Sequence, residues 1–249
     1  MRKISILFVS LLTIMTGAVL SPILPQIKSA YPSISTIWIE SLVTIPSLFV
    51  IALLPLINKL KISSRKQALI GLFIYSIGGL IPLIFLSFKA LIVSRSLSGV
   101  ALALIAGPAI SLITSNYSGS TQQEFLGYAS AVTNIGTVSS VLFAGFVAPI
   151  SWRLTFLVYS LGGISFLLLL FFVPENEVTP TISSNTPSKN PPVIYLLFFL
   201  SLSLTLIYFV LPTNLAFYVT DVLHIKSSLM TSYFNGQYFR IRLFYRSIL

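Results

Sequence analysis

Apolar residues run along this chain in blocks of about twenty, separated by short clusters rich in Pro, Gly, Ser, Asn and charge. The blocks place seven helices, at 4–25, 38–57, 67–88, 90–114, 126–149, 153–173 and 193–212. Twenty residues at 1.5 Å each span about 30 Å, the thickness of a bilayer's hydrocarbon core. Backbone groups left unpaired in hydrocarbon are too costly to tolerate, so apolar runs this long must be helices if they cross it. The expected fold class is all-α, a polytopic membrane protein. A six-helix bundle fills residues 1–173, and a seventh transmembrane helix follows within 193–239. Between them, "PENEVTPTISSNTPSKNPP" (174–192) has the composition of a flexible linker with no core to bury.

The polar clusters set an orientation. With the N-terminus inside, Arg2, Lys3, Lys59, Lys61, Arg65, Lys66 and Lys189 lie in inside loops, while Lys28, Lys89 and Arg153 lie outside. That asymmetry puts the N-terminus in the cytoplasm of a multi-pass cell-membrane protein. The first block is no cleaved leader, because it ends in "LSPILPQI" and lacks a small-residue cleavage site.

Composition narrows the function. The chain is 55% hydrophobic with 8% charged residues, and its mean hydropathy is +0.96. The formal charge of +10 comes without basic stripes on amphipathic helices, so no nucleic-acid partner is expected. Cysteine is absent and there is a single histidine, His224. The five acids, Glu40, Glu124, Glu175, Glu177 and Asp221, are scattered. No metal site, cofactor or enzyme activity is expected from such a set.

One residue breaks the pattern. Arg95 sits inside the fourth block, where a charge costs a few kcal/mol or more and defaults to a functional reading. It lies six residues past Lys89, about 9 Å along a helix, so snorkelling to the interface is the competing possibility. Arg95, Gly99, Ala103 and Gly107 recur every four residues. Such a stripe of small residues packs against other helices and points the arginine into the bundle. On the fifth block Gly136, Ser140, Ala144 and Gly145 are a second packing stripe. Ser130, Thr133, Asn134 and Thr137 make a polar face there, and Thr13, Thr16 and Gly17 do the same on the first block. These polar positions either line a water-filled substrate cavity or hydrogen-bond between helices.

The third block holds "YSIGGL" (75–80) and the sixth "YSLGGI" (159–164). An echo three spans apart is what two inverted three-helix repeats would show.

Together these features resemble the major facilitator superfamily, in particular its twelve-span drug/proton antiporter branch, over roughly residues 4–235. "LSPILPQI" (20–27) resembles the end of that family's first helix, "TIPSL" (44–48) part of its second, and "LPTNLAFYV" (211–219) the end of its seventh. "LIVSRSLSGVALA" (91–103) resembles its motif of an intramembrane arginine followed four residues later by glycine. The resemblance implies that Arg95 takes part in proton coupling. In "INKLKISSRKQ" (57–67), Arg65, Lys66 and Leu69 just beyond it fit the second half of the family's cytoplasmic loop motif. The first half departs from it, with Lys61 at the aspartate position and Ile57 and Ser64 at the glycine positions. The run therefore also reads as a plain orientation signal. "GTVSSVLFAG" (136–145) follows the antiporter motif in spacing, with Val141 where the family has proline.

The resemblance implies proton-coupled efflux of small hydrophobic or drug-like solutes by alternating access. The partners would be a small-molecule substrate, protons and the lipid bilayer. No acid lies deep in any span, and Glu40, near the end of the second, is the one carboxylate in the first six that could serve proton coupling. An eighth helix starts with "LMTSYFNGQYF" (229–239), but 240–249 is an aberrant basic tail carrying three arginines. The expectation is a truncated or frameshifted chain, inactive alone unless it pairs with a second copy or a separately encoded C-terminal half. The alternative is a membrane interaction or regulatory subunit that carries nothing itself.

Overall fold

The computed structural model describes residues 2–57 and 62–173, with isolated helical positions at 196, 199, 200, 203 and 204. The expected linker, seventh helix and tail otherwise lie outside the described residues, as does Lys61. All regular structure among the described residues is helical. The chain runs through α1 (Arg2–Ala18), a 3-10 turn (Ser21–Ile23), α2 (Leu24–Ala30), α3 (Thr36–Ile57), α4 (Ser64–Ile84), α5 (Phe88–Thr114) and α6 (Gly119–Val147). A 3-10 segment (Trp152–Tyr159) then leads directly into α7 (Ser160–Phe172). Helices α3 to α6 and the joined Trp152–Phe172 are five elements long and apolar enough to cross a membrane. Lys3–Thr13 and Met15–Ala30, bent by 46° at the break between them, are long and apolar enough to count as a sixth if taken together.

Local chemistry explains the ends. Ser63 and Ser87 cap α4 and α5, accepting from the backbone N–H groups of Lys66 and Ala90. These caps start both helices a few residues before the apolar blocks do. Helix α6 begins at Gly119 rather than 126, because the polar turn "GSTQQE" continues the helix into water, where hydropathy carries no signal. Helix α1 stops at Ala18, four residues before Pro22. A proline ring collides with the carbonyl four positions back and offers no N–H to it, so α1 ends where Pro22 dictates, a few residues beyond the bend.

The helices pack as a row of neighbours, α3 against α5, α5 against α1 and α1 against α6, with α4 and α7 behind. Each three-helix repeat thus sends its first helix into the other: α1 lies on α6, and α5 lies on α3. Small residues set these close approaches. A methyl group on Gly99 would come within 2.6 Å of the Pro46 carbonyl oxygen, and one on Gly136 within 2.8 Å of Leu11 Cγ. Ala103, Ser140, Ala144 and Gly145 are buried as well.

Gly107 departs from the expected packing stripe. It is exposed, with open space where a side chain would go. Steps of four residues drift by about 40° at 3.6 residues per turn, so by the third step the row has turned roughly a third of the way round the helix.

The sequence echo is a physical contact. Tyr75 and Tyr159 pack with ring centroids 5.0 Å apart. The Tyr159 ring occupies the space a side chain on Gly79 would need, and Tyr75 does the same at Gly162, 2.6 Å from that methyl position. Each repeat's tyrosine therefore sits on the other repeat's glycine.

Gly79→Ala should push the Tyr159 ring aside and cost about 1–3 kcal/mol, whereas Gly107→Ala should cost nothing. Thermal unfolding of both variants in one detergent checks the contrast.

Candidate functional site

Arg95 projects inward from the third turn of α5 and is 0% exposed. Its Nη1 donates to the Tyr159 hydroxyl at 2.5 Å and to the Thr16 carbonyl at 3.4 Å. Its Nη2 donates to the Ser94 hydroxyl at 3.3 Å. The guanidinium carbon lies 4.8 Å from the Tyr159 ring centroid and 5.3 Å from that of Phe156. The Tyr159 hydroxyl, having accepted from Arg95, donates to the Thr16 carbonyl at 3.2 Å. The Thr16 hydroxyl donates to the Tyr75 hydroxyl at 3.4 Å. Four spans therefore meet at one polar cluster.

The Thr16 carbonyl is open because α1 ends two residues later, at Ala18. In an unbroken helix the Leu20 N–H would bond to it, but that N–H turns to the Gly17 carbonyl at 3.3 Å, and Val19 bonds to Met15. The carbonyl accepts from Arg95 and Tyr159 instead. It lies in the last turn of α1, where aligned peptide dipoles present about half a negative charge. Arginine keeps its charge in any protein environment, so this helix end does the work a carboxylate usually does. Two aromatic faces add about 0.5–2 kcal/mol each. No carboxylate contacts Arg95 among the described residues. The guanidinium Nε is buried with no hydrogen-bond partner.

The structure gathers some of the expected site residues and separates others. Thr16 joins the Arg95 cluster, while Thr13, half-buried, bonds to its own helix at the Ser10 carbonyl, and Gly17 is half-buried beside it. On α6, Thr133 reaches across to the Ser10 carbonyl at 3.0 Å and ties α6 to α1. Ser130 and Asn134 are exposed, and Thr137 is half-buried. Asn134 and Thr137 bond to the carbonyls of Ser130 and Thr133. Glu40 is half-buried near the start of α3, and no hydrogen bond or ion pair joins it to Arg95 among the described residues.

The basic loop also has a structural role. Arg65 Nη2 donates to the Leu170 carbonyl at 2.8 Å, in the last turn of α7, a favourable place for a cation. Ser64 and Ser111 share a hydrogen bond of 2.9 Å that links the start of α4 to the end of α5. Lys66 is exposed.

Sequence reasoning missed Phe156 and Tyr159 as partners of Arg95. The repeated Tyr-Ser-x-Gly-Gly was visible, but only packing reveals that the second tyrosine meets an arginine 64 residues away.

Apolar helices of membrane length packed around a buried cation make a polytopic membrane bundle of the kind that carriers are built from. The Major Facilitator Superfamily profile matches residues 6–238, and the chain belongs to that superfamily. No curated protein matches it at a significant level. It is a multi-pass secondary transporter protein, of a class that moves small molecules across a lipid bilayer and does not transform them.

A buried, incompletely bonded charge is seldom kept for stability. Arg95→Met should leave the bundle as stable as the native chain or raise its unfolding free energy by about 1–4 kcal/mol. A large loss of stability in thermal unfolding would mean that the guanidinium network is a net stabiliser.

Proposed function

We propose that this chain belongs to the drug/proton antiporter branch and works in proton-coupled efflux of small hydrophobic solutes by alternating access. The observation that carries this reading is Arg95, a cation buried among tyrosine and threonine groups with no carboxylate in contact among the described residues. A charge in that setting responds strongly to any proton or ligand brought near it, because the low dielectric leaves it poorly screened. Glu40 is the proton-binding candidate in the first six spans. The exposed Ser130 and Asn134, with Thr137, Thr13 and Gly17, would face the substrate path on the side where a second six-helix unit closes the cavity. That unit would follow the connection at 174–192, or come from a second copy or a separately made half. We place the N-terminus in the cytoplasm and the protein in the cell membrane.

The full chain reconstituted in liposomes and given an imposed pH gradient should move ethidium. Arg95→Ala should abolish that movement while inserting normally. Normal transport by Arg95→Ala would refute the role given to Arg95, and no gradient-driven ethidium movement by the native chain would refute the efflux reading, leaving an interaction subunit as the better account. Topology is tested separately, since the chain has no native cysteine. A Lys66→Cys variant in intact cells should react with an impermeant maleimide only after the membrane is opened.

A further inference from the structure

We propose that Phe156 and Tyr159 form an aromatic clamp that positions Arg95, and that the 3-10 winding of Trp152–Tyr159 holds the clamp closed. The inference rests on the reading of Arg95 given above and adds the device that controls it. Runs of 3-10 helix beyond three or four residues are uncommon, yet this one extends over 8 residues. At three residues per turn, side chains three apart eclipse. Phe156 and Tyr159 are three apart, and their rings stack with centroids 6.0 Å apart at an interplanar angle of 25°. Both rings therefore reach the same guanidinium, at 5.3 and 4.8 Å.

An α-helical winding would keep the two residues on one face but set them about 60° apart around the axis and shorten the segment by roughly 4 Å, so the stacked approach of both rings to Arg95 would be lost. Gly79 supplies the space for the Tyr159 ring on the far side. The arginine is held only at its tip, with Nε unbonded. Loss of the Tyr159 contact would leave it the weak 3.4 Å bond to Thr16 and the 3.3 Å bond to Ser94. Phe156 and Tyr159 act through Arg95 and are positioning residues.

The test reads Arg95 directly. The full chain in liposomes is treated with phenylglyoxal, an arginine-selective reagent, and modification at residues 95 and 153 is followed by peptide mass spectrometry. Half-buried Arg153 is the internal reference. In the native chain Arg153 should react and Arg95 should not. Tyr159→Phe, which removes only the hydroxyl, should speed reaction at Arg95 at least about tenfold, and Phe156→Leu about threefold, with Arg153 unchanged and the unfolding midpoint within about 3 °C. If one variant does not fold, the other carries the test. Arg95 as protected in the variants as in the native chain would overturn the clamp.

In the ethidium assay Tyr159→Phe should lower kcat about tenfold with KM within about twofold, with rates counted per folded chain so that a lost active fraction is not read as a lower kcat. The two readings fail separately. Normal transport by Arg95→Ala overturns the functional reading and leaves the clamp to the labelling result. An inactive Arg95→Ala beside a Tyr159→Phe that transports normally overturns the clamp alone.

Discussion

Hydrocarbon offers no hydrogen bonds, so every polar group buried in this bundle has to find its partner inside the protein. The Thr16 carbonyl is where that demand is sharpest. Pro22 ends α1 at Ala18, and the Leu20 N–H turns away to Gly17. A carbonyl thereby becomes free near the centre of the bundle, at the negative end of a helix. Arg95 from α5 and Tyr159 from the 3-10 segment before α7 both donate to it. The freed carbonyl takes two donors, and the arginine finds in it one of its three hydrogen-bond partners. Their pairing joins α5 to α1 at the centre of the bundle.

Close helix contact is the second requirement, because lipid exerts no hydrophobic pressure to drive helices together. Packing therefore depends on fit at a few small residues. Gly99 lets α3 approach α5, and Gly136 lets α6 approach α1. The reciprocal seating of Tyr75 on Gly162 and of Tyr159 on Gly79 brings α4 and the sixth span together. Because one of these tyrosines also bonds to Arg95, the contact that joins the two repeats is coupled to the charge between them. A shift of one repeat against the other cannot leave the arginine's surroundings unchanged. That coupling is what a carrier needs if a local event at a buried charge is to alter the packing of its helices.

The long apolar blocks determined by themselves that the chain is an all-helical membrane protein, because a continuous apolar run of about twenty residues can satisfy its backbone in hydrocarbon only as a helix, a barrel strand being shorter and alternating. They also identified Arg95 as the exceptional residue, since a charge in such a run stands out on composition alone. The repeated Tyr-Ser-x-Gly-Gly pointed to two related halves. Helix ends were less legible where water begins: α6 starts seven residues before its apolar block, as polar residues hold a helix there as well as apolar ones do.

Only the tertiary structure decided what surrounds the arginine. The freed carbonyl depends on which N–H groups turn away from it, and the eclipsed pair Phe156 and Tyr159 depends on a 3-10 winding that no periodicity in the sequence announces. Gly107 lost its place in the stripe because a four-residue step drifts around the axis, and Thr133 took the cross-helix bond that its neighbours on the same polar face do not make. A one-dimensional pattern records which residues share a helix face. Which face meets which partner, and at what depth, is set by six helices settling against one another, and that information is distributed over residues more than a hundred positions apart.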